Sequence, residues 1–206
     1  MKKYPLTKRI LFAAILLSAA GMTQAAKEKK PLMTGASDSM LANTCAGCHG
    51  TNGVSTGPSM PTIAGLSPDY FVTIMESYKS GDAYSTIMGR IAKGYSDDEI
   101  KQMADYYAAL PFEAASQTTD PALVKKGAKI HDLYCEKCHS EGGTLKEDDA
   151  GILAGQWRPY VRWQIEDALS GSREYEKKMM KKLKKLHKKE GDAGITALLH
   201  YYSSQD

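Results

Sequence analysis

Residues 45–49 read CAGCH and residues 135–139 read CEKCH, and these two pentapeptides decide the fold. Two thiols three residues apart, followed at once by an imidazole, form the C-x-x-C-H signature of covalent c-type haem attachment. Positions i and i+3 share one face of a helical turn, so Cys45 with Cys48, and Cys135 with Cys138, can present both thiols to the two vinyl groups of one porphyrin. His49 and His139 are then carried beneath the macrocycle as axial iron ligands. A single zinc site would have to gather all four cysteines, yet the pairs stand 90 residues apart and each has its own histidine. Two disulfides, the ordinary expectation for four cysteines in an exported chain, are outweighed by the spacing. The pattern implies two covalently bound haem c groups.

A rare motif present twice invites a search for duplication. The offset of 90 recurs at Ala64-Gly65 and Ala154-Gly155, at Tyr70 and Tyr160, and at Ser80-Gly81 and Ser170-Gly171. It becomes 95 at Ile100 and Ile195 and at Tyr106-Tyr107 and Tyr201-Tyr202, so five residues are inserted in the second copy. The copies are expected as separate haem domains over residues 26–112 and 122–206. A polar linker, EAASQTTDP, over residues 113–121 joins them. A unit of under about 90 residues has a marginal apolar core, which a buried, covalently stapled haem would complete.

Each copy reads as helices joined by loops. DSMLANTCAGCH and LVKKGAKIHDLYCEKCH lead into the haem motifs. SPDYFVTIMESYKSG and RPYVRWQIEDALSG open near a proline and close on a glycine. SDDEIKQMADYYAAL begins with Ser96 and has Glu99 three residues on, a capping box. With DAGITALLHYYSS it supplies the closing helices. No stretch alternates with period two, and the fold class is all-α.

The duplication also selects the second axial ligand. A ligand required by both haems should be present in both copies, yet Met60 corresponds to Ala150, Met75 to Ile165 and Met103 to Leu198. These three are read as loop or core methionines, the usual use of a flexible thioether. Met88 lies 39 residues past His49, and Met179 lies 40 past His139, with Met180 beside it. Met88 and Met179 are therefore the expected sixth ligands. His131, His187 and His200 have no histidine counterpart in the first copy and are expected to be solvent-facing or satisfied polar groups. A thioether favours reduced iron, so His/Met haems suit electron transfer. With both axial positions filled by protein, no catalytic residues are expected.

Lys2, Lys3, Lys8 and Arg9 precede an apolar run and then small and polar residues, the form of a signal peptide over residues 1–25. The apolar run is too short to span a bilayer, so export to the periplasm with no retained membrane span is expected. Loss of those four positive charges turns a net charge of +3 into about −1. That balance excludes the strongly basic domain a nucleic-acid binder would need. GTNGVSTGPS lacks the lysine and the preceding strand of a phosphate loop and reads as loop around a haem. Trp157, Tyr160 and Trp163 are expected to pack around a cofactor, the Trp157 N–H having a propionate as its minority partner. Eight lysines between Lys177 and Lys189 read first as a solvated helix face and second as a docking patch.

With these residues in view, the chain resembles the dihaem cytochrome subunit of flavocytochrome c sulfide dehydrogenase. The segments that carry the resemblance are NTCAGCHGTNG, STIMGRIAKGYS, CEKCHSEGG, ILAGQW followed by PY, EKKM and EGDAG. The resemblance implies two tandem class I cytochrome c domains, and a heterodimer with an FAD-containing flavoprotein subunit that oxidises sulfide and reduces the haems. It places Met88 at the first axial methionine; EKKMM offers two positions for the second, of which EKKM favours Met179 over Met180. A soluble cytochrome-type acceptor would receive the electrons. The rival readings are a free c4-type dihaem carrier feeding a terminal oxidase and, behind it, a dihaem peroxidase, against which the paired methionines argue. The uncharged stretch GPSMPTIAGL is read as a surface by which the first half meets the flavoprotein.

Overall fold

In the computed structural model, residues 35–146 and 150–205 are described, and the expected signal peptide lies outside them. Among the described residues the regular structure is helical throughout. Helix boundaries follow from local chemistry. In the first half, α1 (Asp38–Asn43) is capped by the Ser37 hydroxyl and α3 (Pro68–Ser80) by Ser67, with Pro68 in its first turn. Between them the haem motif forms the single turn α2 (Ala46–His49). A second short turn, α4 (Met88–Ile91), precedes α5 (Asp97–Ala108). The capping box expected at α5 is present: Glu99 N–H donates to Ser96 Oγ, and Ser96 N–H donates to the Glu99 carboxylate at 2.7 Å.

The second half repeats the plan. Asp120 caps α6 (Pro121–Tyr134) by accepting from the N–H groups of Ala122 and Leu123. The central helix α7 (Arg158–Ser170) stops at Gly171 with φ 81°, as α3 stops at Gly81 with φ 92°. The lysine-rich stretch and the C-terminal helix follow directly on one another over α8 (Lys177–Tyr202). It is broken by non-helical backbone at Gly191, whose φ of 60° and ψ of −164° suit a residue without Cβ.

Two apolar clusters result, each made where a leading helix and a central helix meet a closing helix. The first gathers Leu41, Phe71, Met75, Ile100, Met103 and Tyr107, and the second Ile130, Val161, Leu186, Ile195, Leu198 and Tyr202. Met75 and Met103 are buried core residues, at 4% and 0% exposure. Trp163 stands 45% exposed on α7. Periodicity placed it on a helix but could not say that its face of α7 lies open.

The halves touch through specific contacts. Thr62 N–H donates to Gln156 Oε1 at 2.9 Å, and Gln156 Nε2 donates back to the Thr62 carbonyl at 2.8 Å. Trp157 Nε1 donates to the Ser55 carbonyl at 3.1 Å, so this N–H is used between the halves rather than on a propionate. Ile152 joins the first apolar cluster. The connecting segment lies against the second half: Ala115 N–H donates to the Gly155 carbonyl, and Gln117 bonds both Gln156 and Arg158. Thr62, Ile63, Ala64 and Leu66 are buried. Within GPSMPTIAGL, residues 62–66 are therefore covered by the protein itself, while Pro58 and Ser59 stay exposed and Gly57, Met60 and Pro61 half-buried.

Candidate functional site: two matched haem-attachment loops

The two pentapeptides adopt the same backbone turn. The Cys45 carbonyl accepts from Cys48 N–H at 3.1 Å and His49 N–H at 2.9 Å; the Cys135 carbonyl accepts from Cys138 and His139 at 3.1 and 3.0 Å. All four thiols are free. In each pair the first thiol is half-buried and the second exposed. Burial pushes the Cys45 and Cys135 thiols up from their ordinary value.

The loop that follows is also repeated, and its glycines show why. Asn52 and Gly142 hold left-handed φ values of 56° and 70°, followed by Gly53 at 77° and Gly143 at 88°. The Gly53 carbonyl accepts from Ile63 and Ala64, as the Gly143 carbonyl accepts from Leu153 and Ala154. A Cβ on Gly53 would meet the Tyr107 ring at 2.7 Å, and one on Gly143 the Tyr202 ring at 2.9 Å. The same two tyrosines accept through their carbonyls from Gly65 N–H at 2.9 Å and Gly155 N–H at 2.8 Å. Each closing helix thus pins its haem-attachment loop. The sequence marked Tyr107 and Tyr202 only as a repeat; their roles show once the turn is folded.

His49 is 8% exposed, and its Nδ1 lies 2.9 Å from the Pro61 carbonyl. A carbonyl only accepts, so Nδ1 carries the proton and the Nε2 lone pair is left for a metal, the usual device for orienting a ligating imidazole. Burial holds its pKa below the ordinary histidine value, which keeps the ring neutral, as a ligand must be. His139 follows the same turn and is half-buried. Met88 is the first residue of α4, half-buried and packed against the first cluster. Met179 and Met180 both stand in the first turn of α8, both half-buried, and burial does not separate them.

These residues fit haem c. Each turn offers two unpaired thiols and one imidazole, with His49 fixed in the ligating tautomer. Among the described residues no three His, Cys, Asp or Glu side chains gather as a metal cluster, so the cysteine pairs do not merge into one zinc site. The other histidines are engaged elsewhere. His131 is fully buried between the Tyr202 hydroxyl at 3.1 Å and the Glu136 carboxylate at 2.5 Å. His187 is exposed beside Asp192. His200 lies against the Arg158 guanidinium and accepts from Asp120 N–H. Among the described residues no helix is long and apolar enough to cross a membrane.

Comparison with known proteins agrees with this geometry. Residues 36–106 match the family described as cytochrome C oxidase, cbb3-type, subunit III. The cytochrome subunit of sulfide dehydrogenase from Chlorobaculum tepidum is 42% identical over 106 residues, 49% of this chain and 96% of that protein. Cytochrome c4 from Pseudomonas aeruginosa is 28% identical over 177 residues, 82% of this chain and 84% of its own. The crystal structure of reduced recombinant cytochrome c4 from Pseudomonas stutzeri superposes with a TM-score of 0.70 at 23% identity, over 83% of this chain and 100% of that one. That superposition shows the fold: two tandem class I cytochrome c domains.

Proposed function

The chain belongs to the family of the cytochrome subunit of sulfide dehydrogenase, and from that premise we propose that it is the periplasmic dihaem partner of an FAD-containing, sulfide-oxidising subunit. It takes electrons from that subunit and passes them to a soluble cytochrome-type acceptor. Electron transfer itself is common to the relatives, and the chain has that role. The observation that carries the finer reading is the 42% identity across 96% of the Chlorobaculum tepidum subunit.

In this reading Cys45 with Cys48, and Cys135 with Cys138, hold haem c covalently. Haem c bound there supplies one-electron oxidation and reduction at its iron. His49 and His139, together with Met88 and Met179, would hold the two irons. Protein ligands of that kind would keep other molecules from the metal, and the thioethers would raise its potential. The domain limits, residues 26–112 and 122–206 about the 113–121 linker, and removal of residues 1–25 on export belong to the same proposal.

Surface chemistry supports a division of labour. Tyr84 and Ile87, which flank Met88, are exposed at 48% and 40%, so the first half offers apolar contact beside its ligand for a permanent flavoprotein partner. On α8, Leu183 and Leu186 are buried while Lys181, Lys182, Lys184 and Lys185 are exposed. Those lysines give the second half a charged face suited to transient steering of an acidic acceptor.

A free c4-type carrier is the second reading, favoured by the longer match: cytochrome c4 aligns with 82% of the chain. Affinity purification of the tagged protein from its periplasm separates the two. A stoichiometric flavoprotein in the eluate supports the first reading, and a clean dihaem monomer the second.

A further inference from the structure

Between the halves lies a guanidinium that the site described so far does not use. Arg173, just past α7, is 5% exposed. Its Nη1 donates to Gln164 Oε1 at 2.6 Å and to the Tyr78 hydroxyl, on α3 of the first half, at 3.2 Å. The guanidinium also lies over two rings, 5.5 Å from the Tyr78 centroid and 5.1 Å from that of Tyr175. Tyr175 donates to the same Gln164 oxygen. Tyr70 and Tyr160, matched members of the duplication, lie close enough to feel its charge.

No carboxylate lies within ion-pair distance of Arg173 among the described residues. The phenols do not substitute for one, because burial pushes Tyr70, Tyr160 and Tyr175 up and keeps them neutral. A buried cation with only neutral partners is costly and is ordinarily found with an anion. Its place in the repeat is also singular, since the residue 90 positions earlier is Ala83. The inserted charge therefore serves something other than the fold shared by both copies. A planar fork of donors is the group that takes carboxylates in bidentate fashion.

We propose that Arg173, with Tyr78, Gln164 and Tyr175 around it, forms a carboxylate-binding site between the halves, and that the carboxylates it takes are propionates of the covalently held haem. Burial excludes an acidic side chain of a docking partner. A small free anion has the same chemistry and is the competing source. The inference rests on haem c being attached at the two motifs and not on the choice of flavoprotein partner.

A positive charge near the haem favours the reduced iron, so removing it must lower a midpoint potential. The test compares the holoprotein with its Arg173→Gln, Arg173→Lys and Tyr78→Phe variants by spectroelectrochemical titration, after covalent haem content has been measured for each. Fewer than two haems in the wild type would refute the attachment reading and leave Arg173 to be judged separately on its potentials. With two haems present, Arg173→Gln is expected to lower the ferrous-to-ferric ratio of at least one haem about threefold at fixed ambient potential, about 30 mV for a one-electron couple. Arg173→Lys should fall by less, and it carries the test if the glutamine variant does not accumulate. Tyr78→Phe removes a hydroxyl but no charge and should stay near wild type. Unchanged potentials in the arginine variants, or an equal shift in Tyr78→Phe, would overturn the proposal. Wild-type potentials that move with added phosphate at constant ionic strength would overturn the assignment to propionate and identify a free anion instead.

Discussion

Replacing Gln156 with Leu tests how the two halves are held together. Gln156 is 4% exposed and its amide satisfies both backbone groups of Thr62, which is 1% exposed. Leucine fills a similar volume but leaves a buried N–H and a buried C=O without partners. Each orphaned group costs about 1–3 kcal/mol, so a loss near 3 kcal/mol is expected after partial relaxation. For a protein of this size that corresponds to a fall in Tm of roughly 6–12 °C. Gln156→Glu retains an acceptor for Thr62 N–H, but only its protonated carboxyl can donate to the Thr62 carbonyl. It should therefore lie nearest wild type at low pH and lose stability as pH rises and a buried carboxylate is left against that oxygen. Thermal unfolding of the holoprotein, followed by circular dichroism, reads both variants. A leucine variant within about 1 kcal/mol of wild type would mean that water or a shifted backbone satisfies Thr62, and that this pairing does not hold the halves together.

Four further outcomes are expected. Met88→Ala should remove part of the far-red charge-transfer band of an iron–thioether bond, and Met179→Ala the rest; if Met180→Ala does so instead, the second ligand is Met180. Met75→Leu and Met103→Leu should leave the haem spectrum intact and cost under about 1.5 kcal/mol, because the swap conserves volume in a packed core. Changing Lys181, Lys182, Lys184 and Lys185 to Gln should slow transfer to the acceptor and abolish its dependence on ionic strength without releasing the flavoprotein; release would reverse the roles of the two halves. His200, whose pKa is held below 6.5 by burial and then by Arg158, binds its proton more weakly folded than unfolded. Its contribution to stability is therefore present above about pH 6.5 and lost as pH falls through the depressed value, and His200→Gln should flatten that acid limb in denaturant titrations.

Much of this was legible in the residues because the chemistry is local. C-x-x-C-H needs one turn, Ser96 with Glu99 needs another, and Gly81 and Gly171 stop α3 and α7 by their own conformations. The duplication extended that reach by separating Met75 and Met103, now seen in the core, from Met88. What stayed hidden depends on contacts distant in sequence. GPSMPTIAGL announces that it is apolar but not that Thr62 within it pairs with the second half. Trp163 has the composition of a core residue and stands in the open. Gln156 and Thr62 are 94 positions apart, and neither residue type predicts a reciprocal pair. Arg173 carries no repeat signal, and its importance lies in having no carboxylate within ion-pair distance among the described residues, which only the folded chain reveals.

Anaerobic rapid mixing of the purified complex with sulfide, following flavin and haem absorbance together, shows the path the electrons take. Flavin reduction is expected to precede haem reduction, both haems should become reduced, and the isolated cytochrome chain should show no such rapid reduction on its own. Equally fast haem reduction by sulfide without the flavoprotein, or haems that stay oxidised while the flavin is reduced, would contradict electron transfer by way of the flavin.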